Sequence, residues 1–313
     1  MLKGVGPAAL RKVWNVPGFA SATIGELTER VPALRKAVSH PSAWGVAEVA
    51  AQAQLEQARA HGAFVLSNVD PAYPRLLGLS PDDPCILFVK GHLAPPSLGA
   101  VAVIGTREPT SHGGIITRRL VDHLVSTQKS IVSGLALGCD GIAHQAAIDA
   151  GGHTVAVLAH GLQMISPASH KTLAADILDA GGALVSEFPF GTRAMGPQFV
   201  QRDKTQAGLA EGVVMVQSDL QGGSLYASRA ALSYGRWLAV PFPTSVDLQA
   251  NAPKIQANLV MADGSQTEKA DLLRCTVSAL DRLVILRSRA DYRLIPNTTT
   301  SAASLDDRQP GLL

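Results

Sequence analysis

The chain has 313 residues, 46% hydrophobic and 17% charged, which is enough to bury a large core with something smaller attached. No apolar run is long enough to span a bilayer, and the start, MLKGVGPAAL, lacks the apolar stretch of a secretion signal; both point to a cytoplasmic protein. A net charge of +2 is too small to mark a nucleic-acid binder by itself, and three scattered cysteines without a CxxC pair exclude a thiolate zinc cage.

Gly4-Val5-Gly6-Pro7 precedes a helical pattern over residues 8–14. A Gly-x-Gly turn before a helix is the second half of a helix-hairpin-helix, here without its first helix, and a capped helix of a small bundle is the simpler reading. Residues 21–27 suggest another helix start. The alanine-rich, charge-poor stretch 47–60 reads as a helix packed against its neighbours. Residues 1–68 are thus expected to form a small helical domain. Asp70-Pro71-Ala72-Tyr73-Pro74 marks a turn, residues 85–89 read as a strand, and HLAPPSLG (92–99) as a crossover into the main domain, set at 69–265.

From Val101 onward the pattern becomes regular. Strand-like runs at 101–104, 130–132, 154–158, 183–185, 213–216 and 237–240 alternate with helical patterns at 115–125, 142–150, 171–178, 198–209 and 225–232. Near-continuous apolar strands between helices predict an α/β fold, a doubly wound and mainly parallel sheet covered on both faces. Ligands then bind outside the carboxyl ends of the strands, where the glycine-rich loops fall. A strand, a loop without bulky side chains and a helix start form an anion site, because the first amides of a helix lack partners.

The loop after the first of these strands, GTREPTSHGG, does not fit the GxGxxG dinucleotide fingerprint. GxxxxGK[ST] and G-x-S-x-G are absent too, against a P-loop and a serine hydrolase. Arg107, just past a strand end, is placed to grip a phosphate with two donors. Taken alone, a loop arginine is more often a solvated surface side chain.

The order of VAVIGTR (101–107), SGLALGCDGIAH (133–144), GLQMISP (161–167), SEFPFGT (186–192), QRDKTQAGLA (201–210) and GGSLYA (222–227) resembles the DNA-processing protein A family, also called DprA or Smf. DPAYPRLL (70–77) and PCILFVKG (84–91) match its entry segment, and Asn258-Leu259-Val260 with Asp263-Gly264 its closing one. The resemblance implies a Rossmann-like fold and a non-catalytic protein that binds single-stranded DNA, needs no cofactor, works as a homodimer and helps load the RecA recombinase during natural transformation. By position it implies nucleic-acid contacts at Gly105, Thr106, Arg107, Ser133, Gly134, Gly138, Asp140, Arg202, Lys204, Gly223 and Ser224. Arginine and lysine would supply charge, glycines a close approach to bare amides, and serines hydroxyl donors.

Three features depart from the family. Its usual Arg-Asn-Arg is here Arg202-Asp203-Lys204, so Asp203 cancels a charge. Cys139 replaces an aliphatic residue and reads as a small buried hydrophobe. The extension 266–313 is too short for the winged helix that many members carry, with helix and strand expected within 272–286 and disorder over 296–313.

The remaining constellations have plain readings. Asp140 and His144, four apart, lack a third metal ligand and read as a helix cap and a packing histidine. Glu187 stands where a general base might, without a nucleophile. Phe188, Phe190 and Tyr226 are candidates for base stacking, with core packing equally open for Phe190 and favoured for Phe199. The alternative function is a small-nucleotide sensor or a phosphoribohydrolase-like enzyme. The PGGxGTxxE turn of such enzymes is represented by residues 221–228 without its glutamate, which disfavours hydrolysis.

Overall fold

The computed structural model describes residues 2–95 and 97–296. Four helices come first: α1 (Pro7–Trp14), α2 (Ile24–Arg30), α3 (Pro32–Ala37) and α4 (Ala43–Ala60). Proline at the first position starts α1 and α3, and a capping box of Thr23 and Glu26 starts α2. Val13, Val16, Leu27, Val31 and Leu34 close a core of their own among the first three. The alanine-rich α4 departs from expectation. Only Ala58 is buried, while Trp44, Val46 and Val49 are exposed, because the helix covers just the edge of the sheet.

The rest alternates strand and helix: β1 (Ala63–Ser67), α5 (Arg75–Gly78), β2 (Ile86–Gly91), β3 (Gly99–Ile104), α6 (Ser111–Ser126), β4 (Lys129–Ser133), α7 (Cys139–Asp149), β5 (Thr154–Val157), α8 (Lys171–Asp179), β6 (Ala183–Ser186), α9 (Gly196–Leu209), β7 (Gly212–Met215), α10 (Ser224–Ser233), β8 (Trp237–Pro241), α11 (Ser245–Gln249), α12 (Gln256–Asp263), α13 (Gln266–Leu273) and β9 (Leu283–Leu286). The nine strands run in the order β1-β2-β6-β5-β4-β3-β7-β8-β9, parallel except at β1–β2 and β2–β6. Every residue of β4 to β8 is buried, as both-face coverage demands. Ala102, Val132 and Val213 face α5, α9, α10, α12 and α13; Val101, Val103 and Ile131 face α6 and α7.

β1 and β9 lie outside the expected 69–265 boundaries yet belong to the same sheet. The expected disorder at 297–313 lies outside the described residues. The order also fixes where a ligand fits. The chain winds outward from β3 through β4 and β5 to β6, then returns by α9 to β7 on the other side of β3. The loops after β3 and β7 therefore diverge and leave a crevice between them.

Leu77 ties the entry segment to α9. It is fully buried, and Gly208 of α9 leaves room for it, since a Cβ there would lie 2.6 Å from Leu77 Cδ1. Leu77→Ala should therefore lower unfolding free energy by about 2–5 kcal/mol, read as a lower urea midpoint at unchanged slope.

Candidate nucleic-acid interface

Three loops meet at the crevice and are joined backbone to backbone. Thr106 donates its N–H to the Gln217 carbonyl at 2.8 Å and accepts from the Cys139 N–H at 3.1 Å. Such close approach leaves no space for side chains. A Cβ on Gly105 would lie 2.5 Å from Cys139 Sγ, and one on Gly138 (φ +75°) would lie 2.5 Å from the Arg107 carbonyl. Cys139 is fully buried, and burial pushes its thiol up to about 12. From the far side Asn258 accepts from the Ser218 N–H at 3.1 Å and donates to the carbonyls of Val216 and Pro241 at 2.8 and 3.0 Å. Its amide fixes the loop after β7 to the end of β8.

Between the loops lies a cavity of about 790 Å³. Arg107, exposed, stands on its wall with Cζ 5.3 Å from the Phe199 ring centroid. Lys254 also lines it, 2.8 Å from Asp219. Gly222, Gly223 and Ser224 bring in the start of α10, where no hydrogen bond among the described residues engages the amides of Gly223 and Ser224. The Ser224 hydroxyl bonds to Ser218 Oγ at 2.9 Å.

Arg202 forms the floor. Its side chain is 5% exposed and donates to the carbonyls of Gly134 and, at 3.1 Å, Val157, with Nε 3.0 Å from Asp203 Oδ1. Gly134 is required here for space, since a Cβ would overlap the guanidinium and lie 2.7 Å from Asp140 Oδ2. Asp140 accepts from the Gly134 N–H at 3.2 Å, holding the loop after β4. Asp203 pairs with this guanidinium, and the buried Asp140 lies within its field. Burial raises both, against the pull of Arg202, and pushes Asp203 up to about 7.

Several expected contacts lie elsewhere. Arg107 and Arg202 meet over the Phe199 ring, with Cζ 5.3 and 5.7 Å from its centroid, but Lys204 does not join them. Arg202 is spent on internal partners, and Lys204, two residues further along α9, pairs at 3.0 Å with Asp82 outside the cavity. Ser133 is fully buried and donates to the Val103 carbonyl at 2.6 Å, so its hydroxyl faces the sheet. Gly134 and Asp140 bond each other, and neither amide nor carboxylate is bare. Phe190 packs edge-on against Phe88 and takes both Gln54 bonds from α4, which makes it core. Phe188 and Tyr226 stand outside the cavity lining; Phe199 is the aromatic within it.

Gly105, Thr106, Arg107, Gly223 and Ser224 do border the cavity. Sequence reasoning missed Lys254, whose signal was its place four residues before Asn258. His144 packs as expected, with burial holding it down to about 3 and Nδ1 2.7 Å from Thr154 Oγ1. No cluster of three metal-ligating side chains occurs among the described residues. Glu187, pushed up to about 7 by burial, accepts from Thr205 at 2.8 Å away from the cavity lining.

A family model described as DNA recombination-mediator protein A matches residues 64–270. Protein Smf of Escherichia coli is 41% identical over 172 residues, covering 55% of this chain and 46% of the relative. DNA processing protein DprA of Bacillus subtilis is 39% identical over 171 residues, covering 54% and 57%. The chain spans about half the length of such curated relatives. Among solved structures, DNA processing protein A from Streptococcus pneumoniae superposes with a TM-score of 0.71 at 23% identity over 94% of each chain, a likeness of fold. DNA processing protein A from Helicobacter pylori, described for its single-stranded DNA binding mode, gives 0.55 at 26% identity over 64% of this chain and 88% of that one.

Two outcomes test the floor. Gly134→Ala should destabilise the fold by about 1–3 kcal/mol, because the guanidinium must shift, and should show as a lower melting temperature. The raised Asp203 carboxyl holds its proton more tightly in the folded chain than unfolded. Its contribution to stability is therefore full below about pH 4 and lost as pH rises through about 7. Urea titrations from acid to neutral pH should show this decline in the unaltered chain and a shallower one in Asp203→Asn.

Proposed function

The chain belongs to the DNA recombination-mediator protein A family, and from that premise we propose that it binds single-stranded DNA non-catalytically across the crevice between β3 and β7. The observation that carries this reading is that the exposed Arg107 and the unengaged amides at the start of α10 line one open cavity. Amides and a planar guanidinium are the donors a sugar-phosphate backbone takes up without regard to sequence. The Helicobacter pylori relative is described as binding single-stranded DNA, which supports the same ligand here.

Charge sets the expected strength. Arg107, Arg202 and Lys254 line the cavity together with Glu108, Asp140, Asp203 and Asp219. Two of these carboxylates are raised by burial, and Lys254 is engaged by Asp219, so Arg107 is the main open cation and the salt dependence should be shallow. The hydrolase alternative gains no support, because the turn at 221–228 carries no glutamate.

Assembly as a homodimer, delivery of DNA to the RecA recombinase, action in the cytoplasm and a partner-docking role for residues 1–68 complete the proposal. The homodimer and the RecA delivery rest on the family resemblance, and the docking role is a separate reading of the N-terminal helices; no helix among the described residues is long and apolar enough to cross a membrane. Arg107→Ala should weaken binding to oligonucleotides of any sequence by about fivefold and lower the slope of log affinity against log salt by about 0.7–1. Anisotropy titrations at two salt concentrations read both, and an unchanged slope overturns the assignment of Arg107 to phosphate.

A further inference from the structure

Resting on that reading, we propose that Asp203 makes the cavity selective among bases, favouring those that present N–H donors and guanine above all, with the base lying on Phe199. Asp203 and Phe199 line the same cavity, one turn apart on α9. The Asp203 side chain is 13% exposed, and its ion pair falls on Oδ1, with Arg202 Nε at 3.0 Å. Oδ2 has no hydrogen-bond partner among the described residues.

An ionised carboxylate accepts and never donates, so Oδ2, without an internal partner, takes a donor from whatever enters the cavity. Guanine offers two adjacent donors, N1–H and the N2 amino group, in the fork that suits a carboxylate. Adenine and cytosine each offer one amino group. Thymine has a single N–H between two carbonyl oxygens that a carboxylate repels. Backbone contacts position a strand without reading it; an unpartnered acceptor beside a stacking ring adds the reading.

The groups facing Asp203 are Arg202 on its own helix, Asp140 from α7 and Arg107 from the loop after β3, with Glu108, Asp219 and Lys254 elsewhere on the cavity wall. Behind Arg202, burial lowers both His144 and His160, the former to about 3. The acceptor state of Asp203 therefore grows as pH rises through neutrality, and the guanine preference grows with it.

The test uses the full chain and thymine oligonucleotides of about 20 nucleotides, with or without three spaced guanines, titrated by anisotropy at one salt concentration. At about pH 8 the guanine-containing strand should bind about fivefold tighter or more; by about pH 5.5 the advantage should shrink, and Asp203→Asn should bind both alike. If that variant does not fold, the pH profile of the unaltered chain decides alone. Equal affinities at about pH 8, with binding still salt-dependent, overturn the inference and leave the single-strand reading standing. No salt-dependent binding of either strand overturns both.

Discussion

The buried guanidinium of Arg202 is the interaction on which the crevice depends. A charge taken out of water costs several kcal/mol unless its donors are matched, and here two backbone carbonyls and the Asp203 carboxylate match them. The consequences run outward through the sequence. Position 134 must be glycine to admit the side chain. Asp140 must reach back to the Gly134 N–H so that the loop holds its carbonyl toward Arg202. The loops after β4 and β5 are thereby drawn onto α9, although each ends a different strand.

A second set of ties works from the other side of the crevice. Asn258 satisfies three backbone groups near the ends of β7 and β8, and Gln217 accepts from the Thr110 N–H at 3.0 Å while donating to Thr110 Oγ1 at 2.9 Å. Polar side chains thus hold the loops at both margins, where an apolar contact would leave amides and carbonyls unpaired. The margins of the crevice are thus held by residues that line it little or not at all.

The sheet and its helices were legible because their signal is periodic. Six apolar runs from Val101 onward became six central strands, and the glycine loops fell at their carboxyl ends as parallel topology requires. β1 was missed because AFVLS is short and sits beyond the turn that looked like a boundary. α4 was misjudged because alanine content reports helix propensity and says little about coverage. Site roles were less legible than site location. Spacing shows that residues 202 and 204 are near, but a helix turns them to nearly opposite sides, and burial alone distinguishes the internal Arg202 from a surface cation. Ser133 shows the same limit, since a hydroxyl beside a glycine loop reads as a donor until the sheet is seen to claim it.

On the proposed reading, the division between rim and floor would decide what part of a nucleotide goes where. Internal pairing cancels most of the charge on the floor, so the deep cavity offers little to offset the loss of hydration of a phosphate. The exposed Arg107 and the amides of Gly223 and Ser224 border the opening, where a phosphate keeps part of its water. On that reading a base carries no such charge and could lie on Phe199. Desolvation would then place the backbone at the rim and the base inside, with Arg107 the main open cation of the cavity where the sequence suggested three.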